Sequence, residues 1–234
     1  MSKVLGVIGG MGPEATSYFY SEVIAHTKAL SDQEHLDMVI LNHASMPDRT
    51  RAIFSGDDKA LLAAFEKDCR ALEALGAANI AIPCNTSHYF YEKIQAMTKV
   101  PIIHMPEESA KAAAAEFPGA KRIGIIGTDG TVQAGIYHRA CEKAGMTPVV
   151  PSEEAQRLAM AIIYDEIKSG KTGDREKFAK ILADLKGQGA DAVILACTEL
   201  SVYKKYHGVP AYCLDAMDIL VKEAIVRSGA QYLA

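Results

Sequence analysis

Two cysteines carry the strongest chemical signal in the chain. Cys84 closes the run Gly76-Ala-Ala-Asn-Ile-Ala-Ile-Pro-Cys84 and is followed by Asn85, Thr86 and Ser87. Cys197 closes Gly189-Ala-Asp-Ala-Val-Ile-Leu-Ala-Cys197 and is followed by Thr198 and Glu199. A lone cysteine is most often a small buried hydrophobe. Two of them at matched ends of apolar runs, each leading into short polar residues, are a different case. A strand followed by such a turn presents backbone N–H groups and hydroxyls, and a helix beyond it adds its positive end, which together suit an anion. The same surroundings lower a thiol pKa from about 8.5 toward neutrality. There a sulfur can accept or donate a proton. Two thiols opposed across one carbon would remove a proton from one face and return one to the other, inverting the centre. No metal or prosthetic group is needed if hydrogen bonds and cations stabilise the carbanion-like transition state.

These residues need elements to hold them. Short apolar runs predict strands at Val4–Ile8, Met38–Leu41, Ile80–Ile82, Ile102–His104, Ile123–Ile126, Thr147–Val150, Ala192–Leu195 and Ala211–Leu214. Most are rich in Val and Ile, as buried parallel strands are. Amphipathic stretches predict helices at Pro13–Lys28, Asp57–Leu75, Glu107–Phe117, Thr131–Ala144, Glu153–Ser169, Asp174–Gly187 and Asp215–Arg227. The recurring strand-then-helix order is that of an α/β protein with a parallel sheet covered on both faces. In such sheets ligands gather beyond the carboxyl ends of the strands, where both cysteines fall.

The chain also repeats itself. Lys3-Val-Leu-Gly-Val-Ile-Gly9 resembles Lys121-Arg-Ile-Gly-Ile-Ile-Gly127, the two cysteine runs resemble each other, and Val100-Pro101 resembles Val209-Pro210. The offsets are 118, 113 and 109, in the same order along the chain. Two similar α/β halves follow. Pro101, Pro106, Pro118 and Gly119 punctuate the middle and place a crossing near residue 105. With the final helix packed back on the first half, the expected domains are 1–105 plus 210–234, holding Cys84, and 106–209, holding Cys197.

Composition narrows the classes. The 234 residues are 49% hydrophobic and 23% charged, with net charge −4, which is ordinary for a globular protein and argues against disorder, a fibrous repeat or a coiled coil. No basic excess and no Lys/Arg run longer than two residues favours nucleic acid or anionic lipid. No apolar stretch reaches the roughly 18 residues of a membrane span. The run Val4–Ile8 is shorter than a secretory core segment, so the expected compartment is the cytoplasm. There the five cysteines are reduced thiols.

Four segments, Gly9-Gly-Met-Gly-Pro-Glu-Ala-Thr16, Met46-Pro-Asp-Arg-Thr50, Pro83-Cys-Asn-Thr-Ser-His88 and Ala196-Cys-Thr-Glu199, closely resemble the aspartate/glutamate racemase family, and the resemblance spans almost the whole chain. It implies two pseudo-symmetric Rossmann-like domains, each a mostly parallel sheet flanked by helices, with the site between them. It further implies racemisation of an acidic amino acid, aspartate or glutamate, by two-base proton transfer between Cys84 and Cys197. No pyridoxal phosphate, other cofactor or metal takes part in that family's reaction, and its members are commonly homodimers. Some relatives carry Thr at the first cysteine position; this chain has Cys at both. By the same resemblance Arg49 and Lys168, the latter within Glu166-Ile-Lys-Ser-Gly170, hold the substrate carboxylates. A dicarboxylate in a dry cleft needs such cations, Arg49 as a bidentate fork and Lys168 as a mobile point charge. Without the family, Arg49 reads as a solvated loop charge and Lys168 as a surface lysine complementing a helix end. Asn85, Thr86, Ser87 and Thr198 are expected around the α-carboxylate or amino group, and Met11 and Gly12 along the pocket wall. Glu199 either orients Cys197, pairs with the substrate ammonium, or caps a helix.

Other signals are weaker. Gly10-x-Gly12-x-x-Ala15 fits a loose dinucleotide fingerprint, but the next strand ends in Asn42, without the acidic ribose ligand. No Gly-Lys-Ser/Thr follows the glycines, which excludes a Walker-type loop. His88 reads as structural rather than as a Cys84 partner, His43 and His104 lie beside strand ends, and Cys69, Cys141 and Cys213 read as core. Histidines and cysteines show no metal-ligand spacing. The competing functions are a related two-cysteine isomerase such as a maleate isomerase and a non-catalytic amino-acid-binding protein.

Overall fold

The computed structural model describes residues 3–233. The chain forms two compact units, one running up to Met105 and completed by the segment from Met217, the other spanning Pro106–Ala216. In both, burial sorts the strands into central and edge positions.

The first unit holds β1 (Leu5–Gly9), β2 (Met38–Asn42) and β3 (Asn79–Ala81) in the order β2-β1-β3, all parallel. β1 is buried along its whole length and takes the centre, whereas β2 is only half-buried and takes an edge. Beyond β3 the predicted strand at Ile102–His104 contracts to a single parallel bridge between Ile80 and Ile102. The pairing ends where a helix starts at Met105. The segment from Met217 returns to this unit: Asn79 Nδ2 donates to the Arg227 carbonyl at 3.0 Å, and the Lys3 amide to that of Ser228 at 2.8 Å.

The second unit holds β4 (Arg122–Ile126), β5 (Thr147–Val149), β6 (Ala192–Leu195) and β7 (Cys213–Asp215) in the order β5-β4-β6-β7, again all parallel. The strand predicted at 211–214 is thus β7, paired through Val193–Cys213 and Leu195–Asp215. Helices cover the sheets, as the alternating pattern predicts. The helices Lys59–Ala74 and Arg175–Gly187 each bury an apolar face that includes Phe65 and Leu72, or Phe178 and Leu185.

The internal repeat is visible side chain by side chain. Phe65 and Phe178, Leu72 and Leu185, Gly76 and Gly189, and Cys84 and Cys197 are all 113 residues apart. The first two pairs are buried core residues, and both glycines of the third have positive φ, 78° and 84°. In each half the leucine drops onto a glycine of the central strand. A Cβ on Gly6 would stand 3.0 Å from Leu72 Cδ1, and one on Gly124 2.9 Å from Leu185 Cδ1. The helix, turn, strand and cysteine therefore form one block, used twice without insertion.

The helices depart from expectation in several places. The stretch predicted as one helix over Thr131–Ala144 is two, Asp129–Gln133 and His138–Lys143, parted by Gly135 at φ 62°. Arg49 lies not in a loop but at the start of a short helix, Arg49–Ser55, capped by Asp48 accepting from the Arg51 amide. The run Glu153–Ser169 is helical throughout but changes pitch: α over Glu153–Met160, π over Ala161–Glu166, 3₁₀ over Ile167–Ser169. Among the described residues no helix is long and apolar enough to cross a membrane.

Candidate active site

In the first unit, Cys84 follows β3 and leads into the 3₁₀ turn Thr86–Phe90. It keeps 5% of its surface exposed and joins the apolar cluster that contains Met11 and Met46. Asn85, Thr86 and Ser87 are buried beside it, and the Ser87 hydroxyl approaches Met11 Sδ at 3.5 Å. The turn after β1 is held close: the Gly10 amide donates to Thr16 Oγ1 at 2.9 Å, and Gly12 caps the helix Pro13–His26. Met11, Ser87 and Cys84 are thus brought together.

His88 does not address the sulfur. Its Nδ1 faces the Cys84 carbonyl at 3.0 Å and its Nε2 the Ile103 carbonyl at 3.3 Å. Burial, helped by His104, pushes its pKa down to about 4, so the ring is neutral and offers its one N–H to a carbonyl. His104 packs edge-on against Tyr91, and His43 Nδ1 pairs with the buried Asp68 at 2.8 Å. Among the described residues no side chain hydrogen-bonds to Cys84 Sγ.

Arg49 is half-buried, and its Nη1 donates to the carbonyls of Met46 at 3.4 Å and Pro47 at 3.1 Å. Its Nε is buried without a hydrogen-bond partner. Among the described residues no carboxylate pairs with this guanidinium. A cation anchored only by carbonyl oxygens keeps its donor fork available for an incoming anion.

The second unit builds a denser arrangement. Cys197 follows β6 and is the N-cap of the helix Thr198–His207. It is likewise 5% exposed. Its thiol donates to Glu199 Oε2 at 3.0 Å, and Thr198 Oγ1 approaches the same oxygen at 3.4 Å. The other oxygen, Oε1, receives Lys168 Nζ at 3.2 Å. Lys168 in turn lies 4.9 Å from the centre of the Tyr164 ring, within cation–π range. Cys197, Thr198, Glu199 and Lys168 thus share one group of contacts.

Charge explains its protonation. Burial pushes the Cys197 thiol well up, and the charge and hydrogen bond of Glu199 push the same way, while Lys168 and the Glu199 amide oppose them. Burial also works against the Lys168 ammonium, but Glu199 and the cysteine outweigh it and hold its pKa above the ordinary value. Cys197 therefore rests as a thiol and Lys168 as an ammonium. The remaining cysteines are packed: burial pushes Cys69 and Cys213 up to about 12 and Cys141 to about 11.

Sequence reasoning missed Tyr164, although its place four residues before Lys168 is the spacing at which helical side chains meet. It also missed Tyr137, fully buried, which bonds to Ser109 and is influenced by the Cys197 charge. Nothing in its sequence context sets it apart from a core aromatic.

Comparison with known proteins agrees with this fold. The sequence model of the Asp/Glu/Hydantoin racemase family matches residues 8–224. The chain is similar to the broad specificity amino-acid racemase RacX of Bacillus subtilis (strain 168), 29% identical over 227 residues that cover 95% of this chain and 96% of that protein. Its fold is similar to that of Picrophilus torridus aspartate racemase, with a TM-score of 0.82, 28% identity, and 99% and 96% of the two chains covered. It is also similar to an aspartate racemase homologue from Pyrococcus horikoshii OT3, with a TM-score of 0.77, 25% identity, and 97% and 99% covered. The chain therefore belongs to the Asp/Glu/Hydantoin racemase family and is an isomerase of the amino-acid racemase class.

Proposed function

We propose that the protein racemises an acidic amino acid, aspartate or glutamate, with Cys84 and Cys197 as its two proton-transfer groups. The observation that carries this reading is the duplicated block: two cysteines 113 residues apart, each just beyond a strand next to the central strand of its sheet. In the reaction one sulfur, as thiolate, takes the α-proton; the C–H bond breaks and its electron pair spreads into the α-carboxylate. The other sulfur gives its proton to the opposite face, its S–H electrons staying on sulfur. The two thiols exchange roles and the carbon inverts. The mechanism requires both sulfurs to address one α-carbon.

An acidic substrate brings two carboxylates. Arg49, with no carboxylate partner of its own among the described residues, supports one of them, and Lys168 supports the other. Asn85, Thr86, Ser87 and Thr198 line the two cysteine turns with N–H groups and hydroxyls, and Met11 and Gly12 complete the wall.

The test is incubation in D₂O with L-aspartate, L-glutamate, a panel of neutral L-amino acids and maleate, followed by chiral chromatography and mass analysis. Inversion with one deuterium at the α-carbon of an acidic substrate is expected. Cys84→Ser and Cys197→Ser should each lower the rate by roughly 10²–10⁴-fold, the scale of a positioned acid or base. Undiminished racemisation by either variant overturns the two-thiol mechanism, and turnover of maleate alone assigns a different isomerase.

A further inference from the structure

The two cysteines are not equivalent, although the repeat makes their backbones so. Cys84 has no side chain hydrogen-bonded to its sulfur among the described residues. Cys197 donates to a buried carboxylate, that of Glu199, at 3.0 Å. The carboxylate is fixed from its other side by Lys168 at 3.2 Å, and Lys168 sits over Tyr164. Thr198 closes the group. Among the described residues, the charged and titratable groups that act on Cys197 are Glu199 from its own helix, Lys168 from the helical run Glu153–Ser169, with Tyr164 of the same run against Lys168, and Tyr137 from the segment between Gly135 and the helix His138–Lys143.

We infer that Glu199 is a positioning residue that keeps the proton on Cys197 at rest and receives it when Cys197 is to act as the base, with Lys168 holding the carboxylate in place. The second half of this statement rests on the racemase reading; the first does not. The step is balanced within the group. The Sγ–H bond breaks, an Oε2–H bond forms, and the negative charge moves from carboxylate to sulfur, still within reach of the Lys168 ammonium. The thiolate so formed then has a free electron pair for the α-proton. Cys84 has no such carboxylate at its sulfur among the described residues. The resting protein is accordingly set with Cys197 as the acid.

This arrangement predicts opposite responses to two substitutions. Glu199→Gln removes the negative charge and leaves Lys168 beside the sulfur, so the thiolate is favoured. Lys168→Met removes the cation and leaves the carboxylate, so the thiolate is disfavoured. The readout is the pH dependence of alkylation of Cys197 by iodoacetamide in the full-length protein, followed on the Cys197 peptide by mass spectrometry. In Glu199→Gln the midpoint should fall by about one pH unit or more, which makes alkylation about tenfold faster below both midpoints. In Lys168→Met the midpoint should rise. Glu199→Asp, which keeps a carboxylate, should lie closer to the parent protein than Glu199→Gln does. A Glu199 that serves only as a helix cap predicts lost stability but no opposed shifts. An unchanged or raised midpoint in Glu199→Gln overturns the inference, as does a shift of both variants in one direction. Should Glu199→Gln fail to fold, an unmoved or lowered midpoint in Lys168→Met overturns it alone. The assay contains no substrate, so its failure and a failure to detect racemisation are separate results.

Discussion

At the scale of single residues, what a side chain does here follows from its immediate partners. His88, four residues from Cys84, has the sequence position of a catalytic base. Its contacts make it a structural imidazole instead, wedged between two carbonyls and held neutral by burial with a pKa of about 4. That has a measurable consequence for stability. An unfolded histidine titrates near 6.5, so between about pH 6.5 and pH 4 the unfolded chain binds a proton that the folded chain refuses. The stabilisation is therefore complete above about pH 6.5 and is lost as pH falls toward 4. The full difference is about 3 kcal/mol for this one group. His88→Asn keeps a donor for a carbonyl but does not titrate in this range. Urea midpoints measured at pH 7 and pH 4.5 should show the parent protein losing more stability on acidification than His88→Asn, by roughly 2–3 kcal/mol. Equal losses would mean that the ring already accepts a proton in the fold.

At the scale of elements, the sequence revealed most of what apolar pattern controls. Buried strands such as Ile123–Ile126 announce themselves by composition, and the two cysteine runs by their likeness. What it concealed depends on single backbone events. Gly135 at φ 62° cuts one amphipathic stretch into two helices while leaving the apolar period almost intact. The π turn at Ala161–Glu166 widens the helix just before Lys168, an event that a 3.6-residue period cannot express. Of the site, the chemical types were legible and the partnerships were not. Glu199 carried three readings in the sequence, and its partners, Cys197 at 3.0 Å and Lys168 at 3.2 Å, are visible only in the structure. The turn after β1 shows how local geometry can be tested. Gly10 has φ 87°, and a Cβ there would stand 2.4 Å from the carbonyl carbon of His43. Gly56 has φ 70° but open space around it. Gly10→Ala meets both strain and rigid backbone and should cost roughly 2–5 kcal/mol. Gly56→Ala meets strain alone and should cost about 1 kcal/mol. Chemical denaturation of the two variants checks the ranking, and comparable losses would show that the segment after β2 moves aside easily.

At the scale of the whole molecule, a duplicated block has been built into a chain that crosses between its units twice. The second crossing matters because the last segment, though it follows β7 directly, belongs to the first unit. Its helix Ala216–Arg227 buries Leu220, Val221, Ala224 and Ile225 almost completely. Beyond it the Lys28 amide donates to the Gln231 carbonyl and the Leu233 amide to that of His26. The first unit is therefore finished only when the segment from Met217 arrives, while every strand of the second among the described residues is already present by Asp215. A core substitution in the last helix should then register far from its neighbours in sequence. Leu220→Ala removes a fully buried side chain and should cost about 2–5 kcal/mol. Amide hydrogen exchange in the full-length variant should show protection falling more in peptides covering β1, Leu5–Gly9, than in those covering β4, Arg122–Ile126, although Leu220 is about a hundred residues from β4 and over two hundred from β1. A loss centred on β4 and β6 would assign the last helix to the other sheet. An equal loss in both would mean that the two sheets open as a single cooperative unit, so that the duplicated halves no longer unfold as separate structures.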